Sequence, residues 1–225
     1  MTEPRHDNPK RILVINPNSS AAVTTAIDAA VEPLRMKGGP SIAVDFLQDG
    51  PPGVVTQQDA DGVVMPLVAR VRKGDADAFV IACFSDPGLY AAREAAGRRP
   101  VLGIAECAVL HALMLGDSFG IIALAPGSVK RQQRMVRQMG LRDRYAGSVP
   151  AHMSPSESAG NDVCEQLAAA GRTLVAQHGA DVLILGCAGM AGHRRALEEM
   201  IGRPVVEPTQ QAVAVAIGRL MLMTA

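Results

Sequence analysis

Two twelve-residue stretches of this chain align with each other without a gap, and this internal match constrains the fold more than any other feature. DAFVIACFSDPG covers residues 77–88, and DVLILGCAGMAG covers residues 181–192. In each stretch an Asp opens an apolar run and a Cys follows that run, at Cys83 and Cys187. A Pro lies 17 residues after each Cys and opens a second short apolar run. The chain is therefore predicted to contain two related halves.

A second pair of similar stretches lies upstream of the first pair. RILVINPNSS (residues 11–20) resembles FGIIALAPGS (residues 119–128) when Pro17 is matched with Pro126. Each stretch precedes its cysteine by about one βαβ unit. This spacing supports a duplicated half-domain.

The pattern of apolar runs predicts an α/β protein. Short β-branched runs bounded by Gly, Pro or Asp alternate with helical patterns, which is typical of βαβ units and a parallel sheet. The predicted strands are 11–15, 42–47, 78–82, 101–104, 119–124 and 182–185. The predicted helices are 21–35, 59–72, 89–96, 107–115, 129–139, 161–177, 193–201 and 209–223. The stretch 146–160 is rich in Ser, Pro and Gly, and is predicted to be a surface loop or a mobile lid.

Duplication and strand pattern together predict two pseudo-symmetric Rossmann-like lobes. Each lobe is expected to be doubly wound around a mainly parallel sheet, with the active site in the cleft between the lobes. Residues 11–104 are assigned to the first lobe, which the carboxy-terminal helix 205–225 is expected to complete. Residues 105–204 are assigned to the second lobe.

Composition restricts the class of partner. Lys plus Arg and Asp plus Glu balance at 22 each among 225 residues, so no overall field attracts nucleic acid or an anionic membrane. Aromatic residues make up only 3% and Trp is absent, which removes the stacking platforms of single-strand binders. No apolar run reaches the length of a membrane span. A small molecule is therefore the expected partner.

The amino-terminal residues and the cysteine count predict a cytoplasmic location. The first ten residues are polar and contain Pro4 and Pro9, so they lack the apolar stretch of a signal peptide. Four cysteines in a chain without such a signal are interpreted as thiols rather than as a disulfide framework.

The two matched cysteines point to proton transfer. Ligands bind an open parallel sheet at the carboxyl ends of its strands, where Cys83 and Cys187 are both predicted to lie. If the lobes are related by a pseudo-twofold axis, the thiols face each other, as a racemase needs for removing a proton from one face and returning it to the other. A following helix N-terminus or a nearby cation is expected to lower the thiol pKa. Amides in the turns 84–88 and 188–192 could hold the oxygen of an enolate.

Other polar residues carry weaker signals. Glu106 and Glu207 each follow a short strand and could orient a thiol or a substrate amide, but ordinary charges at helix N-termini explain them equally well. No zinc-site spacing links His178, Cys187 and His193, so no metal is predicted. A basic cluster on one helix is interpreted as a solvated face; it consists of Lys130, Arg131, Arg134 and Arg137.

Four motifs taken together resemble a known family. VINPNSS, VIACFSDPG, VLGIAE and LILGCAGM are similar to the aspartate/glutamate racemase superfamily, and most closely to its hydantoin racemase branch, which includes allantoin racemases. The resemblance implies that Cys83 and Cys187 act as opposed acid and base, that no cofactor is used, and that subunits form dimers or larger homo-oligomers. It also implies that the substrate pocket is lined by Asn16, Pro17, Asn18, Ser85, Ala188, Gly189 and Met190.

The resemblance implies a 5-substituted hydantoin or a related cyclic ureide such as allantoin as substrate. Hydantoin racemases commonly have hydroxyl residues after the strand that opens the second half, whereas this chain has ALAPG at 123–127, so a polar substrate contact is predicted to be missing there. An aspartate/glutamate racemase or a maleate isomerase-like enzyme is an alternative, but it needs cations that the loops around the cysteines lack. The cysteine pair argues against the arylmalonate decarboxylase branch, which keeps one cysteine. A non-catalytic metabolite-binding protein of the same fold is a further alternative.

Overall fold

The structure, a computed structural model, describes residues 9–224. Residues 1–8, on which most of the argument against a signal peptide rests, lie outside the described residues. Within the described part of the chain, every helix is too short or too polar to span a bilayer.

Strands and helices alternate along the described chain. The strands are β1 Arg11–Asn16, β2 Ser41–Phe46, β3 Ala78–Ile81, β4 Val101–Gly103, β5 Phe119–Ala123, β6 Tyr145–Pro150, β7 Val182–Leu185 and β8 Val205–Val206. The α-helices are α1 Ala21–Val31, α2 Gln57–Gly62, α3 Val64–Lys73, α4 Leu89–Ala96, α5 Ile104–Leu115, α6 Pro126–Gln138, α7 Cys164–His178, α8 Arg194–Ile201 and α9 Pro208–Thr224.

The strands form two parallel sheets of the same topology, with the orders β2-β1-β3-β4 and β6-β5-β7-β8. Their registers also correspond: Phe79 pairs with Val101 in the first sheet, and Leu183 pairs with Val205 in the second. Both partners are displaced by 104 residues, as Cys187 is from Cys83. The predicted α/β fold with two related lobes is confirmed.

The stretches 11–20 and 119–128 correspond to each other in the structure, but their alignment is shifted from the predicted one. Leu13 pairs with Phe79, and Gly120 pairs with Leu183, so the sheet register makes Leu13 and Gly120 equivalent. Pro17 is then level with Leu124, and its predicted match with Pro126 is wrong. The reason is that α6 begins sooner after β5 than α1 does after β1.

The predicted loop 146–160 is wrong over its first part, because Tyr145–Pro150 forms β6. This strand lies at the edge of its sheet, where a proline and a glycine are tolerated because only one side must hydrogen-bond. Gly147 indeed has a φ of 140°, and Pro150 ends the strand. The remainder of the segment is irregular apart from short 3₁₀ turns.

Helices cover both faces of each sheet, which explains why the central strands are apolar at consecutive positions. On the first sheet, α1 and α9 cover one face and α3 and α4 cover the other. On the second sheet, α7 and α8 cover one face and α5 and α6 the other. Fully buried side chains of this kind include Leu13, Val14, Phe119 and Ile122.

The last helix of each half packs on the sheet of the other half. Helix α5 follows β4 but contributes Ala108 and Ala112 to the core of the second sheet. Helix α9 follows β8 but contributes Val213 and Ile217 to the core of the first sheet. Residues 205–225 are predicted to complete the first lobe; α9 lies on that lobe, whereas β8 pairs with β7 in the second sheet. The exchange of helices ties the two lobes together.

The Asp that opens each matched stretch ties two neighbouring strands together. The carboxylate of Asp77 accepts the backbone N–H of Arg11 at the start of β1, over 2.9 Å. The carboxylate of Asp181 accepts the backbone N–H of Ser118, just before β5, over 3.0 Å. Arg11 and Ser118 differ by 107 residues, as Leu13 and Gly120 do, so the two contacts are equivalent. These backbone bonds lower the pKa of Asp181 below its usual value.

Replacing Asp77 or Asp181 by Ala should destabilise the fold. We expect Asp77→Ala to cost about 1 kcal/mol, since one hydrogen bond to a backbone amide is lost. Asp181→Ala should lower the melting temperature at pH 7, and the difference should vanish as the pH falls below the pKa of the native carboxyl, because its stabilisation requires the ionised form. Asp75→Ala, which removes only an exposed ion pair with Arg11, is the control. Equal melting temperatures for Asp75→Ala and Asp77→Ala would contradict this role.

Candidate active site

The two matched cysteines face one cavity at the carboxyl ends of the central strands. Cys83 lies two residues beyond the end of β3, and Cys187 lies two residues beyond the end of β7. Both line a cavity of about 300 Å³, to which both lobes contribute. This volume is at the lower end of the range for small-molecule pockets. The cavity brings the thiols together from sequence positions that are far apart.

Each sulfur accepts a hydrogen bond from the backbone N–H two residues later in the chain. The N–H of Ser85 donates to Cys83, and the N–H of Gly189 donates to Cys187. Ser85 and Gly189 are equivalent residues of the two halves. The Ser85 hydroxyl lies 3.2 Å from the Cys83 sulfur. These N–H groups favour a thiolate over a thiol, since they stabilise the negative charge.

The Cys187 thiol has a hydroxyl partner from a distant segment. Ser158, which is fully buried, lies 3.6 Å from the Cys187 sulfur. Its hydroxyl donates to the carbonyl oxygen of Pro155 over 2.7 Å, so its oxygen can accept from the Cys187 thiol, and the same hydroxyl can turn to donate to a Cys187 thiolate, whose formation it favours. A side chain at Gly189 would collide with this hydroxyl. Ser158 belongs to the segment predicted as a loop or lid, and no sequence pattern singled it out.

Burial dominates the charge state of both thiols. It raises the pKa of Cys83 to about 11, and it raises the pKa of Cys187 as well. A charge on Cys187 raises the pKa of Cys83 further, so two thiolates together are disfavoured. The expectation that a helix N-terminus or a cation lowers the thiol pKa is therefore wrong, because the pKa of each thiol is raised. The cavity favours at most one thiolate at a time.

The seven predicted pocket residues divide into two groups. Asn18, Ser85 and Ala188 line the cavity. The others are buried and do not line the cavity; they are Asn16, Pro17, Gly189 and Met190. Asn16 supports Asn18 by donating to its Oδ1 over 3.0 Å, and the same oxygen accepts the N–H of Ser20. The amide NH₂ of Asn18 donates to none of the described residues and is available to a ligand.

A glutamine that the sequence analysis did not identify supplies a second amide. Gln132 of α6 lines the cavity and is 4% exposed. Its Oε1 is buried and has no hydrogen-bond partner among the described residues. Its Nε2 lies against Gly186, where a Cβ would come within 2.9 Å of it. The predicted lack of a polar contact in this half therefore concerns only 123–127, because α6 provides one from its second turn.

The basic cluster on α6 is not a uniformly solvated face, because Arg131 and Arg134 line the cavity. Arg131 donates to the carbonyl oxygens of Val55 and Gly127, over 2.6 and 3.2 Å, and thereby links α6 to the first lobe. Burial lowers its pKa, and its Nε has no partner among the described residues. Arg134 is exposed and donates to Gln57 over 3.3 Å. The cavity wall thus contains a cation that is largely engaged by backbone carbonyls.

Metal-binding chemistry finds no support in the described residues. Between residues 9 and 224, no group of three or more His, Cys, Asp or Glu side chains has an arrangement that could hold a metal ion. The polar groups at the cavity wall are amides, hydroxyls, thiols and a few charged side chains.

Similar proteins include racemases that act on hydantoins and on allantoin. A hydantoin racemase of Paenarthrobacter aurescens is 35% identical over 92% of this chain and 89% of its own length. The allantoin racemase of Klebsiella pneumoniae has a structure that superposes with a TM-score of 0.89 at 28% identity, over 95% of this chain and 89% of that one. The allantoin racemase of Pseudomonas fluorescens superposes with a TM-score of 0.87 at 25% identity, over 95% of this chain and 92% of that one.

The family profile described as Asp/Glu/Hydantoin racemase matches residues 12–216, which include both sheets and all the residues that line the cavity. The chain belongs to this family.

Proposed function

We propose that this protein is an isomerase that racemises 5-substituted hydantoins or a related cyclic ureide such as allantoin, without a cofactor. The observation that carries the proposal is the pair of thiols, Cys83 and Cys187, at equivalent positions of two related lobes around one cavity. Similarity to a hydantoin racemase and to allantoin racemases supports the choice of substrate class.

The reaction needs one thiolate and one thiol. The thiolate of one cysteine takes the proton from C5, and the electron pair of the C–H bond moves into the neighbouring ring carbonyl to give an enolate. The other thiol then delivers its proton to the opposite face of C5. The first cysteine ends as a thiol and the second as a thiolate, which is the arrangement needed for the reverse direction. Since the cavity disfavours two thiolates, its electrostatics suit this exchange.

Two amides in the cavity wall match the edge of a ureide ring. A hydantoin presents ring N–H groups and carbonyl oxygens side by side. The free NH₂ of Asn18 can donate to a ring carbonyl, and the unpaired Oε1 of Gln132 can accept a ring N–H once the Gln132 side chain rotates toward the cavity. These contacts need no charge on the substrate.

A dicarboxylate substrate, as in an aspartate/glutamate racemase or a maleate isomerase, is favoured by one observation, the presence of Arg131 at the cavity wall. Its NH₁ group already donates to Val55 and Gly127, and its NH₂ group to Ser128 over 3.4 Å. Bidentate binding of a carboxylate would require breaking these bonds. A chiral assay of 5-substituted hydantoins, allantoin, aspartate and glutamate without added cofactor decides between these substrates; activity on none of them would favour a non-catalytic binding protein.

Replacing either thiol should abolish racemisation. We expect Cys83→Ser and Cys187→Ser each to lower kcat by at least about 100-fold, since each removes one of two acid–base groups. Cys164→Ser is the matched control, because Cys164 lies on α7, away from the cavity. Circular dichroism checks that the variants fold. Unimpaired turnover in either cavity variant would overturn the two-thiol mechanism.

Replacing Gln132 by Met should separate stability from activity. The melting temperature should stay equal or rise, because a buried oxygen without a partner is removed. The value of kcat/KM for a hydantoin should fall roughly 3- to 10-fold, as expected for one lost hydrogen bond to the substrate. Gln133→Met, at the exposed neighbouring position, is the control. Equal kcat/KM values for the two variants would exclude Gln132 from substrate recognition.

We also propose that the protein forms a homo-oligomer through α5 and α9, which pack against each other. Exposed apolar side chains on these helices support this surface; they are Leu110, Met114, Leu115, Val215 and Leu222.

Light scattering should give at least twice the chain mass of 23.5 kDa. Met114→Lys should lower the measured mass, because a buried charge at the interface is costly. Met65→Lys, at an exposed methionine on α3, should leave the mass unchanged. A monomeric wild-type protein would contradict the proposed oligomer.

A further inference from the structure

A carboxyl group caps the helix that follows the last strand of the first lobe. Helix α5 begins at Ile104, and its first free amides need acceptors. The N–H groups of Ala105 and Glu106 donate to the Asp86 carboxyl over 3.0 and 2.8 Å. Asp86 does not belong to this helix; it lies three residues after Cys83, in the turn that follows β3.

The equivalent helix of the second lobe is capped in the same way. The N–H groups of Thr209 and Gln210 at the start of α9 donate to the Glu207 carboxyl over 3.0 and 2.6 Å. These two amides are displaced by 104 residues from those that Asp86 accepts, as Cys187 is from Cys83. Both helices therefore have a carboxyl group at the same place.

The two carboxyl groups reach that place from different parts of the chain. The residue equivalent to Asp86 is Met190, which is fully buried in the apolar core of the second lobe. The residue equivalent to Glu207 is Gly103, where a side chain would collide with the Asp86 carboxyl. In the first lobe the cap comes from Asp86, in the cysteine turn, and Gly103 leaves space for it. In the second lobe the cap comes from Glu207, at the position equivalent to Gly103.

This difference affects only the turn that carries Cys83. In the first lobe the cap spans two segments, so it ties the cysteine turn to α5. Asp86 has a φ of 41°, a left-handed conformation that needs support, and its N–H donates to the carbonyl oxygen of Cys83 over 2.9 Å. In the second lobe the cap is local to the start of α9, and it holds no part of the Cys187 turn.

We propose that Asp86 is a positioning residue that fixes the Cys83 thiol in the cavity by bonding its turn to the start of α5, whereas the Cys187 turn is held without such a tie. The role of Cys83 in catalysis rests on the proposed function. When it is ionised, Asp86 also raises the pKa of the Cys83 thiol; because burial raises the pKa of Asp86 itself to about 7, this effect requires a pH above that value. Loss of Asp86 thus frees the turn and favours the thiolate.

The double variant Asp86→Met/Gly103→Glu gives the first lobe the arrangement of the second. It restores a carboxyl group at the start of α5 but removes the tie to the Cys83 turn. We expect its melting temperature to lie near that of the wild type and above that of Asp86→Met alone. Its kcat should fall about tenfold or more with little change in KM, because the reacting sulfur is displaced.

Alkylation by iodoacetamide at pH 8 supplies a readout that does not depend on racemisation. Mass spectrometry of the peptides should show Cys83 reacting at least about threefold faster in the double variant, with Cys187 unchanged. Glu207→Gln is the matched control; it should lower the melting temperature and leave the alkylation of both cysteines unchanged.

Wild-type kcat and wild-type alkylation of Cys83 in the double variant would overturn the proposal and leave Asp86 as a helix cap only. A different result is a wild-type protein that racemises no ureide while Cys83 alone becomes more reactive in the double variant. That result would support the positioning role of Asp86 and contradict the proposed function. If the double variant does not fold, Gly103→Ala replaces it, because its Cβ would collide with the Asp86 carboxyl and displace it from the start of α5 without removing its charge. Faster alkylation of Cys83 in Gly103→Ala supports the tie, and an unchanged rate excludes it.

Discussion

Two thiols can act on opposite faces of one carbon only if the lobes that carry them are held face to face. The exchange of the last helix of each half provides this constraint, since α5 packs on the second sheet and α9 packs on the first. Helix α5 also begins beside the cavity, which its residue Glu106 lines. The same two helices thus hold the lobes together and receive the carboxyl caps that distinguish the two halves.

The cavity combines groups with opposite effects on the thiols. Burial raises the pKa of both, while the N–H groups of Ser85 and Gly189 stabilise a negative charge on either sulfur. The mutual effect of Cys83 and Cys187 then favours one thiolate over two. Both thiols are therefore neutral at rest, and once one of them has lost its proton the other is held in the thiol form, which is the pairing that proton transfer across a stereocentre requires.

The internal repeat made the site partly predictable from the sequence. Cys83 and Cys187 follow buried strands at matched positions, and a parallel sheet brings such positions to one edge. Contacts made by distant segments were not predictable in this way. Gln132 and Arg131 reach the cavity, and Ser158 reaches the Cys187 sulfur, from segments whose own patterns indicate only an exposed helix or a loop. Their roles depend on tertiary packing, which local periodicity does not report.

In the proposed mechanism each enantiomer meets its own thiol, and deuterium labelling distinguishes this from catalysis by a single base. A single enantiomer of a 5-substituted hydantoin is incubated with the enzyme in D₂O, and both enantiomers are analysed at low conversion. We expect the product to carry deuterium at C5 while the recovered substrate remains largely unlabelled, because the other thiol delivers the proton to the opposite face. Deuterium entering recovered substrate as fast as product would indicate one base acting on both faces and would rule out the two-thiol mechanism.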